Sequence, residues 1–322
     1  MQDPTPKMVN EAVINKLSSD DMGIRKEAAD AISEYTRIKM REDGFLRRIL
    51  PPVTVSDGDL DRQVDTDKPV VVVDKEPDSP AAITIPFATL PSNRYILGPR
   101  YRVMFARMTT PKFTKDVVEL KTYDMDIRQI LSDNSIKDLL AEEDGKFLAA
   151  VDALIGAESS TVTETGVVQN RVIAAASGED AINRASLAES MKTLPRTPNH
   201  LNPAVCLVNN ITIWDIVKFG RDEVGGDLAE EMLLNGFSER VFLNCKWIIT
   251  IKTDLVGNNI VYQFAEPKFM GKFFTLEDTT MYVDRKAYML EFFAYECIGA
   301  AIGNVAAVAK IRFAEYGASS SS

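Results

Sequence analysis

Apolar positions recur along this chain with two periods, and the changes of period divide it. In residues 21–40, "DMGIRKEAADAISEYTRIKM", Ile24, Ala28, Ile32 and Tyr35 repeat at helical spacing, and Ser19 and Asp20 stand where N-caps belong. Residues 8–17 also read as helix. From 49 to 69 prolines and aspartates exclude a regular element of any length. A loop this long inside a compact domain is either disordered or an extended arm held by something outside its own domain. Period two then takes over, with strand character at 70–75, 81–90 and 101–108, where Tyr101, Val103 and Phe105 alternate with Arg102 and Met104. The intervening "PSNRYILGPR" has turn residues at both ends. Together these pieces predict a long ribbon with little core of its own. Such a ribbon is marginal in water and needs a partner surface.

Residues 112–123 are strand-like, and the helical period returns at 134–156, "NSIKDLLAEEDGKFLAAVDALIG". Ile136, Leu139, Leu140, Phe147, Leu148, Val151, Leu154 and Ile155 fall on one stripe. Ser135 with Asp138 resembles a capping box and Gly156 a C-terminal stop. At 1.5 Å per residue this helix spans about 34 Å. After a polar stretch the pattern gives a helix near 179–193, a strand at 204–210, a helix at 211–220, an acidic helix at 225–236 behind a Gly-rich loop, and strands at 246–253 and 259–267. That alternation predicts a mixed α/β domain. The tail from 286 to 313 carries long strand-like runs, and no internal repeat is present.

Size and charge narrow the function. The 322 residues are 45% hydrophobic and 26% charged, enough for two average domains or one elaborated domain. A net charge of −10 argues against a dedicated nucleic-acid binder and leaves room for basic patches. Two such stretches stand out. From 36 to 48, Arg37, Lys39, Arg41, Arg47 and Arg48 outnumber Glu42 and Asp43. From 94 to 115, Arg94, Arg100, Arg102, Arg107, Lys112 and Lys115 occur with no acid among them. Because they lie on the extended, unsupported segments, they read as surfaces for acidic faces of neighbouring copies in preference to nucleic acid. Three cysteines, widely spaced and each in an apolar context, read as small buried residues in a reducing compartment. Neither a secretory signal nor an apolar run of ~20 residues is found, so a soluble cytosolic product is expected.

Catalytic patterns are missing. The single histidine, His200 in "RTPNHLNP", reads as a loop residue and cannot build a two-histidine metal motif. There is no GxxxxGK[ST] or GxGxxG loop, and the cysteines lack metal-ligand spacing. Glu142, Glu143 and Asp144 are consecutive, so on a helix they point about 100° apart and cannot converge on one substrate atom. They read as an exposed flank of the helix, facing solvent or the basic segments of a neighbour. The sequence offers no catalytic, cofactor-binding or metal residue, and the chain is not expected to be an enzyme.

The order of these elements, with "LLAEEDGKFLAAVDALIG" (139–156), "CLVNNITIWDIVKFG" (206–220), "NGFSERVFLNCKWIIT" (235–250), "VYQFAEPKFMGKFF" (261–274) and "YECIGAAIGNVAAVAKIRF" (295–313), resembles the major capsid proteins of tailed bacteriophages, the Hong Kong 97 fold. The resemblance runs from about residue 20 to 313 and rests on order and spacing. It implies an α+β capsid fold: an N-terminal arm over 1–57, an extended E-loop ribbon over 58–108, a peripheral domain over 109–160 with its spine helix at 134–156, an axial domain over 161–280, and return strands of the peripheral domain with the C-terminal tail over 281–322. It further implies self-assembly as hexamers and pentamers into an icosahedral head around double-stranded DNA, without sequence-specific contact. Only about 20 residues precede the arm helix, so a separate scaffolding protein is expected, together with a portal and decoration or cement proteins. No cofactor and no membrane are implied, and the location is the virion capsid, assembled in the host bacterial cytoplasm. Arg94, Arg100, Arg102, Arg107, Glu142, Glu143 and Asp144 are the expected inter-subunit contacts. Gly145 is the expected flex point of the spine helix, since glycine there costs roughly 1 kcal/mol relative to alanine. The alternatives are an encapsulin-like nanocompartment shell and a cytosolic enzyme with an uncommon site.

Overall fold

The structure is a computed structural model; it describes residues 12, 14–16, 19, 21–28, 44–62, 67–75, 84–87, 89–91, 93, 97–120, 122, 127–159, 169–217, 239–242 and 244–316, with side chains left out at 127–134, 136, 217 and 239–242. The described residues form three sheets and one long helix.

The first sheet is built on a hairpin of two long strands. Its strands are β1 (Pro52–Thr54), β5 (Ala106–Thr109), β6 (Phe113–Asp116), β12 (Gly271–Lys286) and β13 (Met289–Ile302). The order is β1-β12-β13-β5, with β6 also on β13. The tail runs read from the sequence as strand-like are this hairpin. Ala287, at φ 55, and Tyr288 close it between Lys286 and Met289. Alternation sorts the side chains. Met281, Leu290, Phe292 and Ala294 are buried on one face, while Tyr282 and Phe293 pair on the other with ring centroids 5.1 Å apart.

The second sheet has the order β7-β14-β11-β8-β10-β9, from Asn170–Ala174, Val308–Ala314, Ile260–Phe264, Val205–Asn209, Cys245–Thr250 and Glu239–Phe242. Every residue of β8 is buried, as the apolar run Val205–Val208 requires of a central strand covered on both faces. Val205, Leu207, Ile248 and Phe264 join the core beneath the long helix. Cys206, Val208, Trp247 and Val261 face the other way, packing with Leu187 of the helix Arg184–Met191 and Ile213 and Ile216 of the helix Ile213–Val217. All three cysteines are buried, and none is in a disulfide. The strand β14 lies between β7 and β11, so it closes this second sheet. The sequence reading had sent it back with the hairpin; the turn Val305–Ala307 redirects the chain, and a strand buried along most of its length goes to a sheet interior.

The long helix spans Ile127–Ile155, about 43 Å at 1.5 Å per residue, and it starts well before the expected cap at Ser135. Ser135 is fully buried inside the helix, so a local capping signal was overridden by continuing helix. Leu139, Leu140, Phe147, Leu148, Val151 and Ile155 are buried as the stripe predicted, each worth about 1.5–3 kcal/mol, whereas Leu154 is exposed. Phe147 packs on Phe264 at 5.7 Å between ring centroids. Asp152 accepts from Tyr262 at 3.2 Å and Lys310 at 3.1 Å, tying the helix to the second sheet.

The third sheet, β2-β3-β4 (Asp61–Arg62, Pro69–Asp74 and Arg100–Met104), is the root of the ribbon. Val71, Val103 and Phe105 pack with Val55, Phe274 and Cys297. The root crosses the end of β13 at two glycines, one within the strand and one just past it. A Cβ on Gly299 would stand 2.9 Å from the Met104 carbonyl oxygen, and one on Gly303 2.7 Å from the Tyr101 ring. Beyond this root, 84–86 and 89–91 carry no strand, so the run expected over 81–90 is not a strand where it is described. Prolines at 86 and 91 remove ladder donors there. The strand expected over 112–123 stops at Asp116 and gives way to the short helix Val117–Leu120. Helical turns cover 22–28, where Arg25 reaches Asp284 at 3.4 Å. The rest of the predicted arm helix and the acidic helix at 225–236 lie outside the described residues.

Candidate functional site

The polar chemistry of the subunit concentrates where the short helix Phe45–Ile49 meets the long helix. This short helix follows Gly44, which supplies no side-chain cap, so its first N–H groups need an outside acceptor. Asp144 provides it: Oδ1 accepts from the Leu46 N–H at 3.0 Å, and Oδ2 from Lys252 Nζ at 2.6 Å. Beside it Arg47 donates from Nε to Glu143 at 3.0 Å and from Nη2 to Glu296 of β13 at 3.1 Å. Thr279 donates to the same Glu296 oxygen at 3.1 Å. The side chains of Arg47, Glu143 and Glu296 are 5%, 1% and 0% exposed. Burial pushes the Glu143 carboxyl up to about 7; Arg47 opposes that shift, and Glu296 and Asp144 add to it. Burial likewise raises Glu296 and Asp144.

Two of the expected inter-subunit contacts are therefore corrected. Glu143 and Asp144 do not face a neighbour; they are engaged inside the subunit, clamping the short helix to the long helix, the hairpin and the 251–256 turn. The 100° spacing sends Glu142 outward to Lys146 at 2.9 Å, Glu143 to Arg47 and Asp144 to the backbone of residue 46. A signal was present in the sequence: positions 143 and 144 lie three and four residues from both Leu140 and Phe147, on the apolar stripe itself. Sequence reading also missed Arg47 as a buried partner, together with Lys252 and Glu296.

The remaining expected contacts stay at the surface. Arg100 pairs with Asp74 at 2.7 Å, and both are largely exposed. Arg102 is exposed and has no ion pair among the described residues. Arg107 pairs with Glu277 at 3.3 Å and lies 5.7 Å from the Tyr295 ring centroid. Arg94 lies outside the described residues. Exposed pairs of this kind contribute about 0–1 kcal/mol, so a neighbour can compete for either member. Arg107 and Glu142 share a cleft of about 480 Å³ between β5 and the long helix, with Asp138 and Lys146 also on its wall. Arg100 and Arg102 belong to the ribbon root, away from that cleft. Past the root the ribbon presents Phe87, Leu90 and Leu97 at 104%, 89% and 75% exposure. Gly145 sits within an unbroken helix, and a Cβ there would meet only Leu255 at 3.5 Å, an ordinary contact. Among the described residues no group of three or more His, Cys, Asp or Glu is placed to hold a metal. His200 lies exposed on a loop, its Nδ1 3.0 Å from the Pro195 carbonyl oxygen.

No protein-family model matches the chain, and no curated protein matches it. Solved structures do. The chain is similar to the mature capsid of bacteriophage PhiM1, at 7% identity over 86% of this chain and 88% of that one, with a TM-score of 0.58. It is similar to the capsid of an empty GTA particle at 15% identity, covering 84% and 89%, with a TM-score of 0.55. A virus-like particle from Pyrococcus furiosus matches at 14% identity, covering 88% and 98%, with a TM-score of 0.53. The chain has the α+β fold of capsid-shell subunits, the Hong Kong 97 type.

Proposed function

We propose that the chain is the major capsid protein of a tailed phage, assembling as hexamers and pentamers into an icosahedral head around double-stranded DNA. The observation that carries this reading is the ribbon. Its root is a small sheet that rests on Gly299 and Gly303, and beyond that root Phe87, Leu90 and Leu97 find no cover among the described residues. A monomer has no use for such an element. A closed array of copies covers it, and obligate interfaces of about 2,000–5,000 Å² supply the stabilisation that the isolated ribbon lacks. In this reading residues 58–108 are the E-loop and 1–57 the arm. The long helix with the hairpin sheet forms the peripheral domain, and the second sheet with its helices the axial domain. The exposed cations Arg100, Arg102 and Arg107 and the acid Glu142 serve contacts between copies. Scaffolding, portal and decoration proteins are further partners, and assembly in the host cytoplasm precedes the virion. Among the described residues no helix is long and apolar enough to cross a membrane.

The experiment is nuclease treatment of particles isolated from their native source, followed by extraction of what they enclose. Protected double-stranded DNA is the expected result. A co-purifying enzyme in particles without DNA assigns the chain to a cargo compartment instead. A small monomer with no particles at all contradicts both.

A further inference from the structure

The ion cluster around Arg47 holds more acid than base. From the long helix come Glu143 and Asp144, from β12 Asp278 and Thr279, from β13 Glu296, from the short helix Arg47, and from the 251–256 turn Lys252. Lys252 is engaged by Asp144 at 2.6 Å, so one guanidinium faces two carboxylates, Glu143 and Glu296, each with a side chain no more than 1% exposed. One carboxylate oxygen, Glu296 Oε1, is buried with no hydrogen-bond partner among the described residues. A second full negative charge in such a place is costly, because burial removes it from bulk solvent and both carboxylates share the one Arg47 guanidinium. A proton resolves the imbalance: one guanidinium, one carboxylate and one carboxylic acid leave the trio neutral.

We propose that the Arg47–Glu143–Glu296 cluster binds one exchangeable proton and acts as a pH-responsive clasp on the segment 44–50. With the proton bound, the short helix is fastened between the long helix and the hairpin. When the proton leaves, Glu143 and Glu296 repel each other and Asp144 and Asp278 add to the repulsion, so the segment loosens. Nothing in this depends on the chain forming shells. The pH dependence has a definite direction. The Glu143 carboxyl titrates near about 7 in the folded chain, above its ordinary 4.5, with burial as the main cause. The folded state therefore binds the proton more tightly than the unfolded chain does, and the stabilisation is full below about pH 4.5, is lost progressively as pH rises from there to about 7, and is level above that. The clasp loosens as pH rises from acid to neutral.

The test is hydrogen exchange of the amides of residues 46–50 in the intact chain, corrected for intrinsic rates, from about pH 4 to about pH 8.5. Wild-type protection is expected to be level below about pH 4.5, to fall by up to about tenfold per pH unit, the slope of one proton, from there to about pH 7, and to be level again above neutrality. Glu143→Gln supplies a neutral acceptor of the same shape and should keep protection high and flat. Glu296→Gln serves as the second variant should the first misfold, with the same expectation. Glu142→Gln, whose side chain points to Lys146, should retain the wild-type slope. Level wild-type protection across the range, a wild-type slope in both cluster variants, or a flattened slope in Glu142→Gln overturns the proposal.

Discussion

Asp144, in the middle of the long helix, accepts the backbone N–H of Leu46 at 3.0 Å, across 98 positions of sequence. A carboxylate on one helix thus caps another that has no cap of its own. Its second oxygen reaches Lys252, so a single fully buried side chain joins the short helix, the long helix and the turn after β10.

Asp144→Ala should therefore be among the more damaging substitutions in the subunit. It strands the N–H groups at the start of the short helix and leaves Lys252 against a void, for an expected loss of about 2–4 kcal/mol by urea unfolding of the unassembled subunit. Glu142→Ala, two positions away in the same acidic run, should stay within about 0.5 kcal/mol. Equal losses in the two variants are incompatible with the assignment of Asp144 to the interior.

Much of this arrangement was legible in the sequence. The helix expected at 134–156 rests on a stripe whose described members are all buried except Leu154. The central strands followed from apolar runs such as "AVCLVNN". The first two turns of the long helix were not legible, because Ser135 offers a local cap signal and the tertiary fold overrides it. The acids were misassigned because charge was taken to mean exposure. Position alone pointed inward: Glu143 and Asp144 lie on the stripe, and Glu296 alternates with Phe292, Ala294 and Ile298 on the covered side of β13. A carboxylate at an inward position calls for a buried cation, and Arg47 supplies it from a segment whose basic residues read as a surface patch. Such pairing across the chain has no local signature.

The two glycines of the long helix and the hairpin differ in what they tolerate. Gly145→Ala places a methyl in ordinary contact with Leu255 and should stabilise the helix by up to about 1 kcal/mol. If Gly145 is the flex point of a helix that bends during maturation, the same change slows the transition from first-formed to mature particles. An unchanged rate, followed by light scattering or electrophoretic mobility, removes Gly145 from that role. Gly299→Ala, by contrast, drives a methyl to 2.9 Å from the Met104 carbonyl oxygen and must displace β4. A loss of about 1–3 kcal/mol is expected in urea unfolding.

Charge on the ribbon root bears on association. Arg100→Glu with Arg102→Glu should leave subunit stability within about 0.5 kcal/mol, since both side chains are exposed. Assembly should weaken in a salt-dependent way, because ion pairs between copies are screened as the Debye length falls to about 8 Å at physiological ionic strength. Assembly unaffected at every salt concentration returns these arginines to ordinary surface.

The central claim is that the ribbon is completed by another copy of the chain. Electron microscopy of the purified protein tests it most directly, comparing the intact chain with one in which residues 77–98 are replaced by a short Gly-Ser turn. The Lys75 N–H to Pro99 carbonyl bond that closes the root remains in both. The intact chain is expected to form closed polyhedral particles, and the shortened chain to stay soluble and folded without closing. Closed particles of wild-type form from the shortened chain, or none from the intact chain under any assembly condition, would contradict the account.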